Sequence, residues 1–298
     1  MRSLLLATVL WIASTLAAHA SLNVVATTST MGALSNIVGG PYVETTVLAP
    51  PDRDAHHLEV RPSMMAHLRR ADLVVAVGAE LEIGWLPPAI SGASNPTINP
   101  GTPGYFEGAR KVPLRDAGQR ADRALGDVHP QGNPHFYFDP LRTAAVAEAL
   151  AERMGVLRPA HRDAFTANAE AFRAEIEHRM EGWQERTRNV PGIVLYHKDA
   201  DYLAQRLDIL IQGYIEPLPG IAPTAAHLSE LVGRLRGRDG VILHATFQPE
   251  QGPGFVGREL GWPVRRLTFG VDLDHLDADG YFAFIDRAVS ALALGGES

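Results

Sequence analysis

The chain contains no cysteine. That excludes disulfide staples and thiolate ligands, so packing must carry stability and any metal must be held by nitrogen and oxygen. It also leaves no residue for a lipid anchor after the apolar N-terminal run, Leu4 to Leu16. Aromatic residues make up only 7% of the sequence, and 27 Lys and Arg face 34 Asp and Glu, for a formal charge of -7. A negative balance argues against nucleic acid or an anionic membrane as the main partner and mildly favours a cation. The sequence shows no second apolar run of membrane-spanning length, no repeat and no low-complexity tract. The H-E-x-x-H pattern of zinc hydrolases is also missing.

What is present at the N-terminus reads as an export leader. Arg2 supplies the positive charge, Leu4 to Leu16 an apolar core too short to span a bilayer, and Ala18-His19-Ala20 a small-x-small cleavage site. The mature chain is expected to start at Ser21, soluble in a Gram-negative periplasm. Removing residues 1–20, which carry one charge, Arg2, takes the formal charge from -7 to -8 and the length from 298 to 278. Such a length predicts roughly two domains.

Hydrophobic periodicity then alternates strands with helices. Leu22 to Thr27 is a β-branched run followed by the helical spacing Met31, Leu34, Ile37 and Val38, and Tyr42 to Leu48 is a second strand. Leu73 to Gly78 is continuously apolar, as a parallel strand covered on both faces requires. Ser91 to Gln131, rich in Gly and Pro, holds an edge strand and a loop. Phe165, Ala169, Phe172, Ile176, Met180 and Trp183 recur every three or four residues between Pro159 and Pro191, predicting one helix of about 28 residues, on the order of 42 Å. Beyond Pro191 the alternation resumes and ends in a helix over Tyr281 to Leu294. The fold class is α/β, two lobes joined by a stiff strut.

Four short segments carry the chemistry: Asp54-Ala55-His56-His57-Leu58-Glu59, Gly132 to Pro140 with His135, Leu195 to Ala200 with His197, and Phe269 to Asp274 with Asp272. Each offers a His or Asp at a strand end or loop. Imidazole and carboxylate without thiol suit zinc, so we read a secreted metal-binding protein. His57 competes with His56, and Asp274 and Asp277 compete with Asp272. His129 is read as a surface residue with an auxiliary contact as the alternative, and Glu59 and Asp139 as capping or supporting groups. His67, His161, His178, His227, His244 and His275 are read as ordinary histidines.

In combination these segments resemble the cluster A-I (cluster 9) solute-binding proteins of zinc and manganese ABC importers, over essentially the whole mature chain. Asp54 to Glu59 is similar to that family's D-P-H-x-Y-E. Asn133-Pro134-His135 with Phe138-Asp139-Pro140 is similar to its N-P-H-x-W-x-D-P, and Tyr196 to Tyr202 to its F-H-D-A-F-x-Y. The resemblance implies two (β/α)4 lobes, residues 21–157 and 191–298, joined by a backbone helix over 158–190. It implies a metal in the cleft with ligands His56, His135, His197 and Asp272, His56 being preferred over His57 by motif register. It further implies a monomer that hands its ion to an inner-membrane permease without catalysis. Two features depart from the pattern. Only His129 stands where zinc members often carry a His-rich loop, so the chain resembles the branch lacking it, where capture relies on another device such as a periplasmic zinc chaperone. Leu267 to Asp272 replaces the usual L-D-P-L-G context of the late aspartate.

Manganese members place glutamate where His197 stands, so three imidazoles and one carboxylate favour Zn2+ over Mn2+. The alternatives are a manganese or other divalent-metal protein of the same importer class, or a zinc-dependent hydrolase using a base such as Glu59. A siderophore- or cobalamin-binding protein would share the two lobes and strut but want an aromatic or basic cleft.

Overall fold

The computed structural model describes residues 21–118 and 129–293, so the leader segment, residues 119–128 of the loop expected before Gln131, and Leu294 of the last expected helix lie outside the described residues. Strands β1 (Leu22–Thr28), β2 (Val43–Ala49), β3 (Leu73–Ala76) and β4 (Tyr105–Glu107) form one parallel sheet in the order β2-β1-β3-β4. A second parallel sheet, β6-β5-β7-β8, is made of β5 (Ile193–Leu195), β6 (Ile211–Tyr214), β7 (Val241–Ala245) and β8 (Val264–Leu267). The apolar run at β3 is buried throughout, because helices cover both faces. Each sheet reverses its direction of growth between its first and third strands. In open parallel sheets that reversal opens a crevice at the carboxyl ends, where ligands bind.

Helices alternate with these strands: α1 (Ser29–Gly39), α2 (Pro62–Arg70), α3 (Leu86–Ala93) and α4 (Pro140–Leu157) precede the strut, α5 (Arg162–Thr187). After it come α6 (Asp201–Arg206), α7 (Ala225–Leu235), α8 (Gln251–Leu260) and α9 (Ala278–Leu292). The strut has 26 residues rather than about 28, because Pro159–His161 forms a 3-10 turn before it. Its buried face is Phe165, Ala169, Phe172, Ile176 and Trp183, with Met180 half-buried. Helix α9 starts at Ala278, ahead of Tyr281, because the Asp277 carboxylate caps it by accepting from Gly280 N at 2.8 Å. Periodicity did not anticipate α3. Its first turn contains Pro87 and Pro88, tolerated there because those N–H groups would lack helical partners anyway.

Helix α5 packs on α1 and α4 of the first lobe and on α9, which follows the last strand of the second. One hydrophobic core therefore runs through both lobes, with Met31, Phe136, Phe172, Leu203, Tyr281 and Phe284 in a single buried cluster. The outer face of each sheet has its own core, around Leu68 and Trp85 in the first lobe and Leu231 and Val256 in the second. A shared apolar core limits movement of one lobe against the other. Polar contacts reinforce it: the buried Asp139 carboxylate accepts from the Arg206 guanidinium of the second lobe at 2.9 Å twice, and Tyr202 of the second lobe donates to Asn133 O at 2.7 Å.

Candidate metal centre

His56 sits in the loop after β2, where an Asx turn holds it. Asp54 Oδ1 accepts from the His56 backbone N–H at 2.9 Å and pairs with the ring Nδ1 at 2.7 Å. His57, one residue on, is exposed, as is Glu59. His135 lies between β4 and α4, its N–H donating to Asn133 Oδ1 at 2.9 Å, and Asn133 in turn donates to Lys198 O of the other lobe at 2.9 Å. The ring is 2% exposed, with Nδ1 3.0 Å from the Tyr137 hydroxyl. His197 follows β5 by two residues, at the point where the second sheet reverses, and its Nδ1 lies 2.8 Å from Glu216 Oε2.

The three rings converge across the cleft between the lobes. Centroid separations are 5.2 Å for His56 and His135, 5.4 Å for His56 and His197, and 5.4 Å for His135 and His197. In each ring Nδ1 is occupied by an outer partner: Asp54, Tyr137 or Glu216. This leaves the Nε2 atoms as candidate ligands, the arrangement in which a polar neighbour fixes tautomer and ring direction. His135 Nε2 is buried and has no hydrogen-bond partner among the described residues. A buried lone pair without a donor is costly unless a cation meets it. Two further groups reach the cluster. Within 4.8 Å of one another lie ligand atoms of His56, His129 and His135, and likewise of His135, His197 and Asp199.

Burial pushes the His135 imidazole well below its ordinary range, and the neighbouring histidines push it the same way, so it stays neutral. Burial also disfavours charge on His197, but Asp199 and Glu216 outweigh it and carry that ring up to about 9. Asp54 is pushed up by burial, yet its hydrogen bonds and charge interactions with His56, together with the charge of His57, hold it at about 2. Asp199 is raised by burial. A metal entering this site would meet one neutral ring ready to bind and one that must first release a proton.

Asp272 is not brought to this cluster. It is exposed, and its carboxylate caps a 3-10 turn, Leu273–His275, by accepting from Asp274 N at 3.2 Å. The late loop approaches the cleft earlier, at Phe269 and Gly270, where a Cβ on Gly270 would stand 2.7 Å from Ser29 Oγ. Its two rivals also lie elsewhere, Asp274 exposed and Asp277 capping α9. Other histidines have packing roles: His161 stacks on Tyr42, and His227 bonds to Tyr214 O.

A family model described as the periplasmic component A of zinc-uptake complexes, ZnuA, matches residues 24–294. The chain belongs to the ZnuA family. The high-affinity zinc uptake system protein ZnuA of Yersinia pestis is 24% identical over 288 residues, covering 90% of this chain and 89% of that protein. SloC of Streptococcus mutans, a metal ABC transporter substrate-binding lipoprotein, is 23% identical over 291 residues, 93% of this chain and 91% of that one. A ZnuA crystal structure superposes with a TM-score of 0.73 at 21% identity, covering 92% of this chain and all of that one. The SBP FpvC of Pseudomonas aeruginosa in complex with Mn2+ has a TM-score of 0.75 at 21% identity, covering 91% and 97%. At such identities the structures establish the shared two-lobe fold.

Within this ZnuA-family chain, sequence reasoning missed the partners that aim the rings. Asp54, Tyr137 and Asp199 all stand inside the motifs, where the local pattern gives them no role. Glu216 lies 19 residues after His197 in a turn-rich stretch, where nothing in the local pattern marks it.

Proposed function

We propose that this protein is the periplasmic zinc receptor of an ABC importer, holding Zn2+ between its lobes through Nε2 of His56, His135 and His197 and surrendering it to a membrane permease without chemistry. The observation that carries this reading is the convergence of three imidazoles, each with Nδ1 held from outside. That donor set suits Zn2+, whose ligand nitrogens lie at about 2.0–2.1 Å, better than Mn2+, which prefers oxygen. Export by a leader over residues 1–20, release without a lipid anchor and action as a monomer belong to the same reading. Asp272 could join the metal only by giving up its cap.

The test is competitive zinc titration of protein purified without chelator and stripped of metal, with single alanine variants at the three histidines. Each should lose most of its zinc affinity, and a zinc-dependent rise in Tm should disappear with it. Retention of wild-type affinity by His135→Ala would refute the site.

A further inference from the structure

The loop before the second motif brings a fourth imidazole to the cluster. His129 Nε2 stands 3.2 Å from His56 Nε2, with ring centroids 5.2 Å apart, and its ring meets His135 edge-on at 6.4 Å. Ligand nitrogens on a tetrahedral zinc with bonds of about 2.0–2.1 Å are separated by about 3.3–3.4 Å, close to the spacing already present. The residue is held by its surroundings. Gly132 N donates to His129 O at 2.9 Å, closing a turn, and Asn133 N donates to Arg115 O at 2.8 Å. Gly132 has a φ of +114° and a Cβ there would fall 2.7 Å from Leu114 Cβ, so glycine lets this turn seat against residues 114–117.

The competing fourth ligand is the buried carboxylate of Asp199. Its Oδ2 accepts from Gln248 Nε2 at 2.9 Å, and Gln248 is itself clamped by Ala245 N at 2.7 Å. Its Oδ1 lies 3.8 Å from His135 Nδ1, the nitrogen turned away from the convergence point toward the Tyr137 hydroxyl. On the His135 side Asp199 thus meets the outer edge of the site, although one of its oxygens lies within 4.8 Å of ligand atoms of both His135 and His197. It balances charge there.

We propose that His129 is the fourth ligand, making an all-imidazole site in which a loop-borne histidine takes the place expected for Asp272. This rests on the zinc-binding reading above and deepens it. A site of four imidazoles and no carboxylate selects against manganese more strongly than one with a mixed donor set. It also places one ligand on a segment that joins the two lobes' contacts, since Asn133 and Arg115 both bond to Tyr202.

The experiment is X-ray absorption at the zinc edge on the zinc-loaded, full mature protein, paired with competitive zinc titration, for wild type, His129→Ala, His129→Gln and Asp199→Asn. Melting of the metal-free variants checks their folding. The expected result is four imidazoles in wild type and in Asp199→Asn. The His129 variants should show three imidazoles and one light ligand. Their affinity should fall by at least the roughly 10–100-fold that loss of an outer partner costs. Three imidazoles with an oxygen in wild type, unchanged by either His129 variant, would overturn the proposal, and loss of that oxygen in Asp199→Asn would pass the role to Asp199. Failure of the broader reading looks different, because His135→Ala would then bind zinc as wild type does.

Discussion

The two lobes share one strand order and use it differently. In the second, the reversal between β5 and β7 carries His197, Asp199 and Gln248 into the cleft. In the first, the reversal between β1 and β3 is closed by a buried carboxylate: Glu82 Oε1 accepts from Thr27 Oγ1 at 2.7 Å and Val77 N at 2.8 Å, and Oε2 from Gly78 N at 3.1 Å. The first lobe instead brings its histidines to the cleft from the outer strands' loops, His56 after β2 and His135 after β4. One topology thus offers a crevice twice. Which crevice becomes a site depends on whether its polar groups satisfy each other or point outward.

Substitutions that separate binding from stability sharpen this contrast, and the largest effect belongs to the second lobe. His197→Ala should abolish high-affinity zinc binding, and His197→Glu should shift preference toward manganese by adding a harder donor. Competition between the two ions measures this, and an unchanged ratio would remove His197 from the ligand set. Next comes its outer partner. Glu216→Gln should weaken zinc by about 10–100-fold, because the imidazole loses its orienting carboxylate. Isothermal titration reads that loss directly.

Glu82→Ala should leave zinc affinity intact and cost stability instead, about 1–3 kcal/mol for the buried Gly78 N–H that loses its acceptor, whereas Val77 N keeps Thr27 Oγ1 at 3.3 Å. Denaturant unfolding of the metal-free protein measures it, and a large change in zinc affinity would mean the first reversal point is part of the site after all. Smallest is Asp272→Ala, expected to cost up to about 1 kcal/mol as a lost cap while sparing zinc. A fall in affinity as large as that of a histidine variant would restore Asp272 as a ligand.

The pH dependence follows from the opposed shifts of two of the proposed ligands, His197 and His135. His197 is raised to about 9 in the metal-free fold against an unfolded value near ~6.5. Its contribution to metal-free stability is therefore fully present below about 6.5 and lost as pH rises through about 9. Zinc competes with that proton. Apparent affinity should fall on acidification below about 9, by about tenfold per pH unit through the His197 proton alone. His135, depressed by burial, should add no proton to this exchange. A simple reading from three unperturbed histidines would have three protons opposing the ion below about 6.5. Titration in buffers of different ionisation enthalpy at pH 8, below the raised His197 value, counts the protons released: about one is expected from that ring, and none would contradict the electrostatics of this cleft.

The architecture was legible because hydrophobic period encodes it. Covered strands read as unbroken runs at Leu73 to Val77 and at Val241 to Leu243, and the strut as a repeat of three and four from Phe165 to Trp183. The proline-bearing α3 was not legible, since its first turn imitates a loop. Of the expected ligands, the histidines His56, His135 and His197 come together, while Asp272 turns outward because its carboxylate satisfies a nearer backbone N–H.

Local sequence alone determined the alternation of strands and helices, the strut, and the three motifs whose histidines end strands or begin helices. These are short-range properties, set by side-chain period, capping and turn chemistry within a few residues. Tertiary structure alone decided which groups share the cleft, because that depends on contacts between residues far apart in the chain. Asp54 beside His56 needs a separation of only two residues, but Glu216 behind His197 needs a whole strand connection, and His129 beside His56 spans 73 positions. No local pattern encodes such distances. They are fixed when a core shared by both lobes brings the two sheet ends together.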